Sequence, residues 1–364
     1  MELYSSLILG IIGDILGFNN GITKINRPRF TKKKFGDAFI QEGKWGANQN
    51  HFEFIFFGGI NKDITKDLYS INTVMMMATL KGIINNKEDI KKGCADEYCR
   101  VYKKIGQKKL RDGYFINNEY LNSLESLNKN EKIQYNNIYN DSMVLSRIIP
   151  IASLYWKKKD RKKMIEEIIN NISLTHKNNT VYLSAITLGL FISFNKNNIT
   201  YIEWGVRNVE FLLSKEFDTI LKDLDLYSTE FILDKEDYIS MWRTMHNYTM
   251  ESTDLDNVNQ LYPYHRANKL FLTFNEYNSD EFIYGLKADQ AIIIAYESLI
   301  WCDSSWEKML FYGMVGISDN SVMGTLCGIL FGLTYGINNT VSENQYKSLG
   351  WVKKINSMLK DLDL

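Results

Sequence analysis

Oxygen-bearing side chains that could hold or polarise a ligand gather at two predicted helix starts. One is Ser70-Ile71-Asn72-Thr73, which offers Ser70, Asn72 and Thr73; the other is Ser318-Asp319-Asn320-Ser321, which offers Asp319 and Ser321. Only Asp319 in that set carries a charge, which makes it a thin donor set for a hard cation, because such ions favour carboxylate oxygens. His176 opens another predicted helix and has the chemistry of a general base or a phosphate contact, although a lone histidine there more often caps the helix. His246 and His265 lack metal-ligand spacing. Cys94 and Cys99 lie five apart on one predicted helix, a poor geometry for sharing a metal, and read as ordinary thiols. The basic run from Lys157 to Lys163 falls between two predicted helices and reads as a solvated turn; as a patch it would meet an acidic partner.

The elements that must position these groups are helices. Helix-period apolar patterns recur at 3–17, 71–84, 87–106, 142–157, 160–173, 180–194, 201–223, 287–301, 304–315, 321–336 and 342–360, and only three prolines interrupt the chain. Residues 22–66 and 110–140 read as long surface connections, and 225–283 carries no clear pattern. Small residues stand at helical spacing near both ends: Ser6, Gly10, Gly13 and Gly17, then Gly324, Gly328, Gly332 and Gly336. A glycine inside a helix costs up to ~1 kcal/mol of propensity, so the stripe predicts close packing that compensates. The expectation is an all-α chain forming one domain over 1–364.

Composition narrows the function classes. Lys+Arg and Asp+Glu are both 43, so net charge attracts neither nucleic acid nor anionic membrane, and no partner of either kind is expected. Hydrophobic content of 45% supports a sizeable core. Four cysteines without a CxxC pair argue against a zinc site or a disulfide framework, and a reducing, cytoplasmic setting is expected. The apolar stretch 5–17 lacks a preceding basic segment and contains Asp14, so it reads as a buried helix and not as a signal peptide. The apolar run 322–336 is shorter than the ~18–20 residues that span a bilayer. Sequons at Asn171, Asn178 and Asn198 are expected by chance in an Asn-rich chain.

Four segments, in order, resemble the ADP-ribosylglycohydrolase family, most closely its ADP-ribosylarginine hydrolase branch. Gly13, Asp14, Leu16, Gly17, Asn20 and Gly21 look like the family's opening motif, with Lys24 near the place of a frequent glutamate. Ser70-Ile71-Asn72-Thr73-Val74-Met75 sits where the family has Ser/Thr-Asp-Asp-Thr-x-Met, so both aspartates are replaced. Thr175-His176 looks like the family's Thr-His helix start, and Arg147 like the arginine of an earlier helix. The tract from Tyr296 to Gly328 aligns with the one containing Gly-Gly-Asp-Ser-Asp-Ser/Thr: Asp319 keeps the first acid, Ser321 replaces the second, and Ile317-Ser318 replace the glycine pair.

The resemblance implies a compact, single-domain, multi-helix fold. In such enzymes two Mg²⁺ ions, held by the aspartates of the second and fourth motifs and adjacent Ser/Thr, bind the ribose hydroxyls and help open the bond of ADP-ribose to a protein side chain. Carried over by motif, Ser70, Asn72, Thr73, Asp319 and Ser321 would be the metal positions, with Asp319 a vestigial catalytic residue. Asn20, Gly21, Arg147, His176, Gly285 and Tyr296 would line the substrate. With one carboxylate left of four, no cofactor is expected, Mg²⁺ being required only if activity remains. Three readings follow: a catalytically impaired member that binds ADP-ribose, an ADP-ribosylated protein or a protein partner in a larger assembly; an active Mg²⁺-dependent ADP-ribosylarginine hydrolase with an altered site; and a structural scaffold with a closed cleft.

Overall fold

A computed structural model describes residues 2–18, 54–56, 58–64, 69–106, 118–136, 139–251, 285–314, 319–338, 340–341, 346–347 and 349–362. The protein is all-α, with no β-strand among the described residues. In chain order the helices are α1 (Glu2–Phe18), α2 (Ile71–Asn85), α3 (Ile90–Gly106), α4 (Asn118–Asn128), α5 (Ile148–Ala152), α6 (Arg161–Ile172) and α7 (Asn179–Lys196). They continue with α8 (Trp204–Leu212), α9 (Lys215–Asp223), α10 (Thr229–Glu251), α11 (Ala288–Trp301), α12 (Trp306–Met314), α13 (Asn320–Tyr335) and α14 (Gly350–Asp361).

The helix expected over 342–360 starts only at Gly350, and four further expectations need correction. The single helix over 142–157 is instead a 3₁₀ segment, Ser142–Arg147, followed by the short α5. Pro150 has no N–H to donate one turn back to Ser146, so the α-helical ladder cannot run unbroken through this stretch. The helix over 201–223 divides into α8 and α9 because the Ser214 hydroxyl accepts from the Phe217 amide and starts a new helix. The connection 110–140 contains α4, anchored by buried Tyr120 and Leu124 four residues apart. Thr229–Glu251, within the stretch lacking a clear pattern, is the long helix α10.

The chain divides into two compact units, Met1–Tyr69 with Arg243–Leu349 and Ser70–Trp242 with Gly350–Leu364. In the first, α13 packs against α1, α11 and α12. The predicted glycine stripe is the seam between α1 and α13. A Cβ on Gly328 would fall on the Leu9 carbonyl, one on Gly324 on the Gly13 carbonyl, and one on Gly17 on the Asn320 carbonyl. Gly332 faces the Ser5 carbonyl group and the Ser6 Cα, both 2.6–2.7 Å from where its Cβ would lie. Backbone meets backbone along this seam, which is the close packing the sequence demanded. Gly336 has a separate role: its φ of 74° ends α13 in a conformation that favours glycine.

In the second unit α7 is buried along nearly its whole length, packing on α5, α6 and α8, while α2 packs on α3, α5 and α14. The sequons separate here. Asn171 is buried and bonded to Tyr98, and Asn178 caps α7, whereas Asn198 is exposed in a left-handed turn. No helix among the described residues is long and apolar enough to cross a membrane.

Candidate functional site

In the first unit Asp319 is the N-cap of α13. Its Oδ1 accepts from the Ser321 hydroxyl at 2.7 Å and from the Val322 amide at 3.5 Å. Thr325 in turn donates to the Ser321 carbonyl at 2.7 Å, so the start of the helix is tied down over two turns. Asp319 and Ser321 are 3% and 5% exposed. Asp14 is buried on α1, and its charge, after burial itself, raises the Tyr69 phenol above its ordinary range. Gly285 adopts φ 76°, a conformation open to glycine, and its amide donates to Gln290 Oε1 at 3.3 Å. Tyr296 is buried on α11. Asn20 and Gly21, expected to line a substrate, lie outside the described residues, as do Ile317 and Ser318.

In the second unit Ser70 caps α2, its hydroxyl accepting from the Asn72 amide at 3.0 Å. Ser70, Ile71, Asn72 and Thr73 are all buried. Arg147 and His176, far apart in sequence, are joined through Thr175: Arg147 Nη2 donates to Thr175 Oγ1 at 2.9 Å, and Oγ1 lies 2.8 Å from His176 Nδ1. Both side chains are fully buried. The guanidinium lies 5.1 Å from the Tyr98 ring centroid and 5.8 Å from that of Tyr120. Tyr139 stacks on the imidazole at 4.3 Å. Among the described residues Arg147 has no carboxylate partner, and its Nε and Nη1, with His176 Nε2, make no hydrogen bond.

The electrostatics follow from that enclosure. Burial, then the adjacent Arg147, holds the His176 pKa well below the ordinary histidine range, so the imidazole is neutral at physiological pH. Burial pushes the Tyr120 hydroxyl up to about 12 and the Tyr98 hydroxyl higher still. A fixed cation and the N–H of a neutral imidazole can donate hydrogen bonds to an anion, or the pair can simply tie the Ser142–Arg147 segment to the turn that precedes α7. The aromatic surroundings escaped sequence reasoning: Tyr98, Tyr120 and Tyr139 belong to segments separated by unpatterned chain, and only the Tyr120–Leu124 spacing hinted at the helix that brings one of them in.

Two divalent ions need several hard, charged oxygen donors. The metal positions supply one carboxylate, Asp319, which already accepts from Ser321 and from the helix backbone; Ile71 supplies no donor. Among the described residues no group of three or more His, Cys, Asp or Glu side chains could hold a metal ion. The donor set therefore does not fit a pair of Mg²⁺ ions.

The chain belongs to the ADP-ribosylglycohydrolase family, whose model matches residues 3–363. A candidate ADP-ribosyl glycohydrolase of Acanthamoeba polyphaga mimivirus, L444, is 23% identical over 360 residues, which cover 95% of this chain and 67% of that protein. ADP-ribosylhydrolase ARH1 of Dictyostelium discoideum is 21% identical over 385 residues, covering 98% of this chain and 92% of its own. A solved structure described as an ADP-ribosylglycohydrolase-related protein complex matches with a TM-score of 0.57 at 10% identity, over 99% of this chain and 96% of that one. At that identity the likeness concerns the fold. The family is one of hydrolases, and the resemblance drawn from the four motifs holds over the whole chain.

Proposed function

We propose that this chain is a catalytically impaired ADP-ribosylglycohydrolase-like protein that acts by binding an ADP-ribosyl group or the protein that carries it. The observation that carries the reading is the state of Asp319. Hydrolysis in the resembling enzymes depends on aspartates that gather two metals; here the single surviving acid is engaged by Ser321 and by the helix start it caps. Capping holds the helix end in place without metal, and a ribose or an adenine is recognised by shape and a few polar groups. Calorimetric titration with ADP-ribose, with and without Mg²⁺, tests this, alongside a release assay on ADP-ribosylarginine. Metal-independent binding without release is expected. Mg²⁺-dependent binding with release would overturn the reading in favour of an active ADP-ribosylarginine hydrolase.

The burial of Ser70, Asn72, Arg147 and His176 in the second unit, and of Tyr296 and Asp319 in the first, favours a second reading, a structural scaffold. Absence of ADP-ribose binding under both conditions would select it.

A further inference from the structure

The basic clusters of the second unit differ in how their charge is answered. In the run 157–163 that stood out in the sequence, Arg161 pairs with Glu216 at 3.1 Å and Lys162 with Asp223 at 2.6 Å. Lys163 lies 2.9 Å from Glu167 and 3.3 Å from Glu166. The Arg161–Lys163 half of that run is neutralised where it sits, as a solvated turn should be.

The surface shared by α2, α3 and α14 is not. Lys81 is the one charged residue of α2, and α3 carries five basic residues against two acidic ones. One of those acids, Glu97, is buried and accepts from Lys81 Nζ at 2.9 Å, from Asn85 Nδ2 at 2.8 Å and from Arg100 Nη1. A single carboxylate thus faces two cations. Lys354 of α14 comes to the same place: burial, then the charges of Lys81 and Lys104, lowers its pKa from the ordinary lysine range, with Glu97 opposing. Lys104 and Lys354 are exposed, and neither makes an ion pair among the described residues. Like charges held together by three helices repel one another and keep a positive potential that an anion would relieve.

The type of anion can be argued from what the surface lacks. Single-stranded nucleic acid needs aromatic faces on which bases stack, and among the described residues no exposed aromatic belongs to α2, α3 or α14. Lysines are point charges on flexible stems, suited to carboxylates spaced along a peptide. We propose that the exposed surface around Lys81, Arg100, Lys104 and Lys354 docks an acidic segment of a partner protein. This stands independently of the ADP-ribose reading, because none of its residues belongs to the candidate site.

The test uses the full chain and fluorescein-labelled oligoglutamate, with oligoglutamine as the neutral control, followed by anisotropy at rising salt. Binding of oligoglutamate alone is expected, weakening as salt rises. Lys104→Ala with Lys354→Ala should reduce affinity about tenfold, while Lys157→Ala with Lys162→Ala leaves it unchanged; all four positions are exposed, and circular dichroism checks the fold. No salt-sensitive binding, or equal loss in both pairs, would overturn the proposal. Tighter binding of duplex DNA than of oligoglutamate would overturn the assignment of the partner.

Discussion

Replacing Ser321 by Ala, Asn and Asp in turn would separate what the Asp319 carboxylate does in this chain from what it would do beside a second acid. Ser321→Ala removes the 2.7 Å hydrogen bond to Asp319 Oδ1 and leaves a buried carboxylate with one fewer donor. A hydrogen bond to a charged group contributes about 1.5–3 kcal/mol, so a loss of that order is expected. Ser321→Asn retains a donor and should lose less. Ser321→Asp removes the donor and adds a like charge; two unit charges 4 Å apart at an effective dielectric of about 20 repel by about 4 kcal/mol. Its stability in metal-free buffer should therefore fall furthest of the three, unless one carboxyl takes up a proton. Mg²⁺ should restore part of that loss, by about 2.7 kcal/mol where the ion is at a hundred times its dissociation constant, and should leave wild type and Ser321→Ala unmoved. The assay is thermal unfolding with EDTA or Mg²⁺. If Ser321→Asp unfolds no earlier than Ser321→Ala, or if wild type responds to Mg²⁺ as strongly as the variant does, the account of Asp319 as a metal-independent cap is wrong.

Three further outcomes follow from the same geometry. Ile71→Asp, Asn72→Asp and Ser321→Asp combined should give Mg²⁺ binding measurable by calorimetry, since they return three carboxylates to the motif positions; no heat would show that the supporting backbone has diverged as well. Gly328→Ala should destabilise by about 2–3 kcal/mol in urea unfolding, because its Cβ meets backbone at Leu9 and Gly10, whereas Gly10→Ala meets the movable Ile329 side chain at 3.0 Å and should be near neutral. Equal effects at the two sites would refute the seam. His176 is neutral in the folded protein, while the unfolded chain takes up a proton below about pH 6.5. Its contribution is thus complete above that pH and is lost as pH falls, at up to about 1.4 kcal/mol per pH unit, until the folded-state value is passed. The difference in unfolding free energy between wild type and His176→Gln should shrink on acidification and stay flat above neutrality.

How much could be read from the chain varied with the range of the interactions. The glycine seam was half legible: a four-residue period announces close approach, but that the two stripes at opposite ends of the chain meet each other cannot be read from either one. Helix starts at Ser70 and Asp319 were legible because a cap is local; the cap of α7 is Asn178 and not the His176 that the sequence suggests. The helix Thr229–Glu251 was hidden because its exposed face is rich in charge and a lysine, Lys235, stands among its buried positions between Phe231 and Tyr238. The Arg147–Thr175–His176 chain was invisible, since 28 residues separate the arginine from the threonine that links it to the histidine. The unanswered basic surface was hidden for a related reason. The longest run of lysines lay elsewhere, and charge balance is set by neighbours in space.

The seam between α1 and α13 has a consequence for how the chain is made. α1 leaves a ribosome well before the backbone it must pack against, which lies between residues 320 and 335. At roughly 5–20 residues per second, an almost wholly apolar helix waits for roughly 15–60 s while the entire second unit up to Trp242 is synthesised. During that interval its small-residue face is open to any other apolar helix, including the same helix of a neighbouring nascent chain. Shielding by a chaperone, or the rate of elongation ahead of α13, would therefore influence the yield of folded protein.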